Sequence, residues 1–368
     1  MTDLRDSARA IWRAGVAAVD GHAATAAALD RQPRPDAVLA VGKAAGAMAR
    51  AALDRFGPLP CLVVTKDGHG AGLPDAVDLI EAAHPVPDAR SLAAGRALRK
   101  AVAAMAPGSQ LLLLVSGGAS ALAEDPVSGY GLADLDVLNR RLLASGMDIG
   151  AMNTERRKLS RIKGGGLLAG FRGARATVLA ISDVPGDDIG VIGSGIGASP
   201  ASAAFVSDLR IVASNATARD AAGRAATAAG FPVLSNAESL HDDLNALAPA
   251  IGARLRDMPR GALILGGEPT VVLPDNPGRG GRNQALALAL AREIAGIGDL
   301  VVVVGGTDGS DGPTDAAGGV IDGATWTPGA ETALLQADSG PYLEAANALL
   351  RTGPTGTNVM DLMVALRG

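Results

Sequence analysis

Short, almost purely apolar runs alternate along this chain with longer Ala-rich stretches, and this alternation constrains the fold more than any other feature. Residues 37–41 and 111–115 are runs of this kind; helix-forming sequence begins at Ala44 after the first and extends from Ala89 to Met105 before the second. Strands that are apolar on both faces are typical of a parallel sheet covered by helices on both sides. Hydrophobic residues make up 48% of the chain and aromatic residues only 2%. The sequence therefore predicts an α/β protein with a core of Ala, Val, Leu and Ile.

The length of 368 residues predicts two domains, and a change in the sequence pattern from Gly261 onward places their boundary at about 235–260. We expect a larger Rossmann-like domain at 1–245, with a largely parallel sheet flanked by helices, and a smaller mixed α/β domain at 246–368. Around the boundary, the apolar pattern predicts a helix at 238–257 and a strand at 270–273.

Charge and composition exclude several classes of function. The net charge is −5, with no basic stripe and few aromatic residues for base stacking, so we expect no nucleic-acid partner. The single cysteine, Cys61, lies in an apolar run and rules out a disulfide framework within one chain. The N-terminal residues lack the apolar core of a signal peptide, and no stretch approaches the length of a membrane span. We expect a cytoplasmic protein that binds small molecules and no membrane.

Glycines cluster where apolar runs stop. Ser116, Gly117 and Gly118 follow one such apolar run. A second apolar run is followed by the acidic turn that contains Asp183 and Asp187. In open α/β sheets, ligands bind beyond the carboxyl ends of the strands, where glycines let backbone N–H groups approach an anion. Tight turns alone are the competing explanation. We predict that an anion such as a phosphate or a carboxylate binds at these strand ends, with Ser116, Gly117 and Gly118 as its nearest contacts.

Lysine is rare in this chain, since only five of the 33 basic residues are Lys. Lys43 follows an apolar strand at the predicted start of a helix, where a cation can reach a phosphate. Lys158, Arg161 and Lys163 form a basic segment before three glycines. This segment is interpreted either as a solvated helix end or as part of the anion site.

A glycine-rich loop at 278–281 brings Arg282 and Asn283 to the start of a predicted helix. A guanidinium binds carboxylate or phosphate in a bidentate manner, so Arg282 is a candidate for holding a substrate acid or a transferring phosphoryl group. Glu268, in a preceding turn, is a candidate for orienting this arginine. A plain hairpin tip is the alternative.

Asp308, Asp311 and Asp315 lie in the densest acidic segment of the chain. The segment lacks the closing Glu of a calcium loop, so we reject that interpretation. The three acids are candidates for holding Mg²⁺ or for accepting a hydroxyl proton during phosphoryl transfer. Acidic turns without a ligand are the alternative.

Several common motifs are missing. The loop around Lys43 lacks the first glycine of a Walker A motif, and the HRD and DFG motifs of protein kinases do not occur. Two matches to G-x-G-x-x-A occur, at 164–169 and 193–198, but neither follows a convincing strand, which a dinucleotide site requires. No G-x-S-x-G elbow of a serine hydrolase occurs.

Taken together, the motifs resemble the bacterial and archaeal glycerate 2-kinases that carry a MOFRL domain, a family sometimes called hydroxypyruvate reductase. The likeness covers nearly the whole chain and rests on ordered segments at 41–44, 84–88, 116–122, 153–165, 182–187, 280–284, 306–318 and 352–358.

The resemblance implies transfer of the γ-phosphoryl group of ATP, with Mg²⁺ or another divalent cation, to the C2 hydroxyl of D-glycerate. It implies an N-terminal glycerate kinase domain, a C-terminal MOFRL-like domain whose tail returns to the cleft, and an active site in that cleft. Carried over by position, Lys43, Arg282 and Asp308 are the catalytic group. Asp183, Asp187 and Asn358 then form a further polar wall.

Two other functions stay open at this point. One is an NAD(P)H-dependent hydroxypyruvate reductase, and the other is a sugar-acid or nucleotide-binding regulator without turnover. The sequence also leaves open whether glycerate is preferred over related hydroxy acids, which hydroxyl is phosphorylated, and whether the protein forms a homodimer.

Overall fold

A computed structural model describes residues 3–144 and 149–368 of the chain. Within these residues the helices are α1 (Leu4–Ala17), α2 (Gly21–Leu29), α3 (Ala45–Phe56), α4 (Ala89–Ala103), α5 (Ala119–Leu122), α6 (Leu132–Ala144), α7 (Ile149–Lys158), α8 (Asn215–Ala228), α9 (Leu244–Asp257), α10 (Arg282–Glu293), α11 (Ala330–Leu335) and α12 (Ser339–Ala345). None of these described helices combines the length and the apolar character that crossing a membrane requires.

The strands within the same residues are β1 (Ala37–Val41), β2 (Cys61–Lys66), β3 (Asp78–Ala82), β4 (Gln110–Val115), β5 (Arg175–Ile181), β6 (Val206–Ala213), β7 (Val233–Glu238), β8 (Gly261–Gly267), β9 (Leu300–Gly306), β10 (Gly318–Asp322), β11 (Leu349–Leu350) and β12 (Asp361–Arg367). They form two six-stranded sheets in the described part of the chain. The predicted α/β class, with a parallel sheet and a second, mixed sheet, is confirmed.

The chain divides into two compact units. The parallel-sheet unit contains residues 20–214 and 356–358, and the mixed-sheet unit contains residues 3–19, 215–355 and 359–368. These units are not consecutive segments, so they differ from the predicted domains. The predicted boundary at residue 245 lies inside α9, and α8 packs on β7 and β8 of the mixed sheet.

The parallel-sheet unit has the strand order β3-β2-β1-β4-β5-β6, and all neighbouring strands run parallel. This is the strand order of the doubly wound dinucleotide-binding fold, in which the order reverses between the first and fourth strands. Buried Leu, Val and Ile side chains of β1, β4 and β5 form the core against α4 and neighbouring segments. The apolar runs are therefore strands because both faces of this sheet are covered.

The mixed sheet has the order β11-β10-β9-β12-β8-β7, in which only β7 and β8 pair in parallel among the described strands. Helices α9 and α10 cover one face, and α1 and α8 cover the other. On that second face the fully buried Trp12 of α1 donates a hydrogen bond of 2.9 Å from its indole nitrogen to the carbonyl oxygen of Leu362.

Two local predictions near the boundary are wrong. Within residues 270–273, only Thr270 pairs with another segment, in an isolated bridge. Pro269 and Pro274, which flank this segment, have no backbone N–H to donate to a neighbouring strand, and Val272 is 81% exposed. The helix predicted at 238–257 begins only at Leu244, where the side chain of Asp243 accepts the backbone N–H of Asn245 as an N-cap. Of the preceding residues, Glu238 ends β7 and residues 239–243 connect this strand to the helix.

Helix α1 precedes the parallel-sheet residues in the chain but packs on the mixed sheet, and replacing Trp12 tests this placement. Trp12→Ala should reduce the free energy of unfolding by about 3–5 kcal/mol, since it removes a fully buried ring and leaves a cavity. Urea unfolding measures the loss. The adjacent exposed residue provides the control, and Arg13→Ala should change stability by less than about 0.5 kcal/mol. Equal midpoints for the two variants would contradict the packing described.

Candidate active site

The parallel-sheet unit places Lys43 at the point where the strand order reverses. Lys43 lies in the turn between β1 and α3, and Ser116 follows the neighbouring strand β4. In doubly wound sheets the crevice at this point, outside the carboxyl ends of the strands, is where ligands bind. The strand order therefore brings Lys43 and the Ser116 loop to the same edge of the sheet.

Ser116 fixes the turn that carries Lys43. Its fully buried Oγ accepts the backbone N–H of Ala44 at 3.0 Å, and the N–H of Lys43 donates to the carbonyl oxygen of Gly117 at 2.9 Å. Gly42 has a φ of 126°, and a Cβ there would lie 2.2 Å from the Ser116 Oγ. Ser116 was predicted to bind ligand, but its hydroxyl is used to hold the lysine turn in place.

Gly117 is packed against two of the predicted polar-wall residues. A Cβ at Gly117 would lie 2.0 Å from Asp183 Oδ2 and 2.1 Å from Asn358 Nδ2, so only glycine fits. The Asn358 side chain donates to the Asp183 carboxylate at 3.1 Å. Residues 356–358 belong to this unit although the residues on both sides of them belong to the mixed-sheet unit. Asp187 lies further along the same loop, in a short 3₁₀ turn at Pro185–Asp187.

Each residue of the basic segment has its own partner. Lys163 is 8% exposed and forms a buried ion pair with Glu124, while Lys158 pairs with Glu155 at the surface. Arg161 donates to the hydroxyl of Ser128. Lys158 therefore lies at a solvated helix end, whereas Lys163 is buried within the parallel-sheet unit. Helix α7 ends at Lys158, so Arg161 and Lys163 follow it rather than share its face.

The mixed-sheet unit holds Arg282 between two carboxylates at the start of α10. Arg282 donates from Nε to Asp361 Oδ2 at 2.7 Å and from Nη2 to Oδ1 at 3.3 Å, and it also pairs with the predicted partner Glu268. Burial acts to lower the pKa of Arg282, but the charges of Asp361 and Glu268 outweigh it and raise this pKa. Burial raises the pKa of Asp361, and Arg282 opposes that rise. The guanidinium is therefore fixed and permanently charged, with 36% of its side chain exposed.

Asp311 caps the helix that begins with Arg282. Its Oδ1 accepts the backbone N–H of Asn283 at 3.1 Å, and its Oδ2 accepts that of Gln284 at 2.8 Å. A carboxylate here satisfies two helix N-terminal donors and interacts favourably with the helix dipole. Burial nevertheless raises the pKa of Asp311 to about 7, against the effect of the two backbone hydrogen bonds. The side chain of Asp311 therefore occupies the N-terminus of α10.

Asp308 lies beside Asp361 at the edge of the mixed sheet. A Cβ at Gly306, the last residue of β9, would lie 3.3 Å from Asp361 Oδ1 and 3.4 Å from Asp308 Oδ1. Asp308 is 5% exposed, and its Oδ1 accepts the backbone N–H and the hydroxyl of Ser310. Arg282, Asp361 and Asp308 therefore form one charged group, near the last residues of β8 and β9 and the first residue of β12.

The three acids predicted to hold a metal do not gather around one point. Asp311 is occupied by the start of α10, and Asp315 pairs with Arg351 at 3.1 Å on the surface. Among residues 3–144 and 149–368, no group of three or more His, Cys, Asp or Glu side chains is placed to hold a metal ion. The three predicted acids therefore do not form a metal site by themselves.

Asp361 is the member of this site that the sequence did not reveal. It opens the apolar strand β12, is 1% exposed, and binds Arg282 with both oxygens. The sequence feature that could have revealed Asp361 is a single carboxylate inside an apolar run. A carboxylate in such a run is buried only when it has a partner, so it indicates a charged contact elsewhere in the fold. Glu124, the buried partner of Lys163, shows no such pattern, because Asp125 follows it directly.

Comparison with known proteins supports the resemblance seen in the motifs. Residues 7–228 match DUF4147, a domain of unknown function, and residues 261–361 match the MOFRL family. A D-glycerate 2-kinase from Thermotoga maritima is 35% identical, over 89% of this chain and 90% of that protein. A putative hydroxypyruvate reductase from Agrobacterium vitis is 37% identical, over 90% of this chain and 99% of that protein.

The fold comparison agrees. A crystal structure of glycerate kinase from Thermotoga maritima superposes with a TM-score of 0.86 at 33% sequence identity, and the match covers 99% of both chains. The similarity therefore extends over both units and both matched domains. The chain belongs to the glycerate 2-kinase family.

Proposed function

We propose that this protein is a D-glycerate 2-kinase, which transfers the γ-phosphoryl group of ATP to the C2 hydroxyl of D-glycerate and releases 2-phosphoglycerate and ADP. The observation that carries the proposal is the similarity to the Thermotoga D-glycerate 2-kinase over 90% of its length. The placement of Lys43 after β1, of Asp308 after β9 and of Arg282 at the start of α10 agrees with it. The expected location in the cytoplasm and the homodimer stay predictions.

The reaction needs charge neutralisation and positioning more than covalent chemistry. The C2 oxygen attacks the γ-phosphorus, the bond from that phosphorus to the bridging oxygen of ADP breaks, and the hydroxyl loses its proton. We assign Lys43 and Arg282 to neutralising negative charge on the phosphoryl group and on the substrate carboxylate. Asp308 is assigned to orienting the hydroxyl and accepting its proton. The fixed position of Arg282 between Asp361 and Glu268 suits this role, because a preorganised cation needs no rearrangement during the reaction.

We expect Mg²⁺ to bind together with ATP rather than at a site formed by carboxylates of the protein alone. Mg²⁺ is commonly held by nucleotide phosphates and one or two carboxylates, with water completing its shell. Of the three predicted acids, we assign Asp308 to the neighbourhood of the ion because it follows directly after β9, whereas Asp311 caps α10 and Asp315 pairs with Arg351 at the surface. The metal would supply further charge neutralisation at the phosphates.

The reductase alternative has weak support at the residue level. The two G-x-G-x-x-A matches form turns that bond to each other, with the Gly164 N–H donating to Ser194 O at 2.9 Å and the Gly165 N–H donating to Gly195 O at 2.8 Å. Neither match follows a strand of the parallel sheet. After β1, where a dinucleotide fingerprint belongs, Ala44 occupies the place of the second glycine that lets backbone approach a pyrophosphate.

A direct comparison of substrates tests the proposed activity. Purified protein with D-glycerate, ATP and Mg²⁺ should form ADP and one phosphorylated product, and NMR should show phosphorus coupled to the proton at C2. The same protein with hydroxypyruvate and NADH should not consume NADH faster than a blank. Rapid NADH loss without ADP formation would replace the kinase by the reductase. Phosphorylation at C3 would retain a kinase but contradict the assigned hydroxyl.

The buried carboxyl of Asp311 should make stability depend on pH. Its pKa of about 7 in the folded protein lies above its ordinary value, so the folded state holds the proton more tightly than the unfolded state. The free energy of unfolding should therefore fall as pH rises from about 4 to about 7, by at most about 4 kcal/mol from this group. Asp311→Asn removes this titration. The stability difference between wild type and variant, measured by urea unfolding, should shrink across that window, and a constant difference would contradict the raised pKa.

The same variant separates the capping role from the metal role predicted for Asp311. An amide accepts at only one of its two polar atoms, so Asp311→Asn should weaken the start of α10 and lower kcat through Arg282. The Mg²⁺ concentration for half-maximal rate should stay within about twofold of the wild-type value, since this carboxylate binds backbone N–H groups. A tenfold rise in that concentration would instead restore Asp311 as a metal ligand.

A further inference from the structure

The residue directly before β12 has a backbone conformation that residues other than glycine rarely adopt. Met360 is buried and has a φ of 66°, in the left-handed region. A residue stays in this region only where the surrounding contacts over-determine it, and such residues cluster at functional sites. The next residue is Asp361, which binds Arg282 with both carboxylate oxygens. The contacts that hold Met360 therefore also set the position of the Asp361 backbone.

Thr307, which follows β9, holds Met360 from one side. Its hydroxyl donates a hydrogen bond of 2.6 Å to the carbonyl oxygen of Met360 and accepts the backbone N–H of Val359 at 2.9 Å. The backbone N–H of Thr307 also donates to the Met360 oxygen, at 3.0 Å. This fully buried threonine thus binds the backbone just before Asp361, and Asp308 follows it directly in the sequence. One residue therefore connects the two carboxylates of the charged group.

Asn215, the first residue of α8, binds the same segment through its side-chain amide. Its Nδ2 donates to the carbonyl oxygen of Val359 at 2.9 Å and to that of Asp361 at 3.0 Å. These two carbonyls lie immediately before and after Met360 in the chain. Asn215 and Thr307 together bind the three successive carbonyl oxygens of residues 359–361.

The Asn215 amide has one fixed orientation. Its Oδ1 accepts a hydrogen bond from Nε of Arg219 at 2.8 Å, so Nδ2 is the atom that faces the two carbonyl oxygens. Gly266 of β8 leaves the space for this contact, since a Cβ there would lie 1.8 Å from the same Oδ1. Both amide hydrogens and the amide oxygen are used, and the residue is buried. Asn215 is therefore a rigid support for the backbone before β12.

We propose that Asn215 and Thr307 are positioning residues, which hold residues 359–361 so that the Asp361 carboxylate fixes the direction of the Arg282 guanidinium. The inference rests on the proposed kinase function, in which Arg282 neutralises charge during phosphoryl transfer. A rotation at the left-handed residue displaces the carboxylate that follows it, and a catalytic cation is effective only when it is held within a fraction of an ångström of its working position. Both residues act on Arg282 through Asp361.

Thr307→Val tests this role, because it keeps the shape of the side chain and removes both hydrogen bonds of the hydroxyl. The kcat for D-glycerate phosphorylation should fall about 10- to 100-fold, as expected for a displacement of about 1 Å at a catalytic group. Thr307→Ser retains a hydroxyl and should recover most of the rate. A folded Thr307→Val protein with the wild-type kcat would overturn the proposal.

Thr325→Val is the matched control for general destabilisation. Thr325 is a buried threonine of the same unit, and its hydroxyl also makes two hydrogen bonds, accepting the backbone N–H of Asp322 at 3.0 Å and donating to its carboxylate at 3.1 Å. This variant should lower the unfolding midpoint about as much as Thr307→Val and keep kcat within about twofold of wild type. If both variants lose rate in proportion to stability, Thr307 has only a structural role.

A double-mutant cycle tests whether the effect passes through Arg282. In an Arg282→Gln background, Thr307→Val should lower kcat by no more than about twofold, since the group that it positions is gone. Losses that multiply in full would contradict the proposed route. Asn215→Asp, which turns an oxygen toward the two carbonyl oxygens, is a second variant with the same expected loss. Asn236→Asp, the same change on another asparagine that binds Arg219, should keep the wild-type rate.

The guanidinium can also be followed without activity. In protein labelled with ¹⁵N-arginine, the Nε–H signal of Arg282, identified by its loss in Arg282→Gln, should be protected from exchange in wild type and Thr325→Val. It should exchange at least tenfold faster in Thr307→Val and Asn215→Asp. If the signal behaves in this way but wild type forms no ADP from ATP and D-glycerate, the kinase proposal fails and the positioning role stands. If wild type forms ADP while neither variant changes the signal or kcat, the positioning role fails and the kinase stands.

Discussion

The hydrogen bond from the backbone N–H of Ala44 to the buried Oγ of Ser116 is the contact on which the site of the parallel-sheet unit depends. It joins the turns that follow β1 and β4, the two strands at which the sheet order reverses. Gly42 and Gly117 permit the contact, since a Cβ at either position would lie within 2.2 Å of a neighbouring polar atom. Lys43 is thereby held at one place at the sheet edge. The Asp183–Asn358 pair packs against the same glycine turn, at Gly117.

In the mixed-sheet unit the dominant constraint is burial of charge. Asp361 and Asp311 are almost fully buried, and each is paired, the first with the Arg282 guanidinium and the second with the two backbone donors of α10. Removing one partner from such an arrangement leaves an uncompensated buried charge, so these groups hold one another in position. The consequence is a guanidinium with a fixed direction at the edge of the sheet. A cation fixed in advance is what electrostatic stabilisation of a transferring phosphoryl group requires.

The sequence predicted the parallel sheet well because its strands are continuous apolar runs and their loops follow directly. Placing Lys43 beside Ser116 needed only the rule that ligands bind at strand ends. The mixed sheet was less predictable, since β10 begins with two glycines, β12 begins with Asp361, and its pairings are between distant residues. Distant pairing also hid the role of Asp361, which no local pattern connects to Arg282. The sequence identified Ser116 as a site residue from its position after a strand. The hydrogen bond that its buried hydroxyl accepts from the backbone of Ala44 is visible only in the structure.

The kinetics of Lys43→Ala test the central claim most directly, namely that the turn after β1 carries out phosphoryl transfer. With D-glycerate, ATP and Mg²⁺, kcat should fall by about 10²–10³-fold, as expected when one preorganised charge is removed, while the circular dichroism spectrum and unfolding midpoint stay those of wild type. Lys100→Ala, the same change on an exposed lysine of α4, serves as the control and should keep the wild-type rate. A folded Lys43→Ala protein with undiminished kcat would contradict the account.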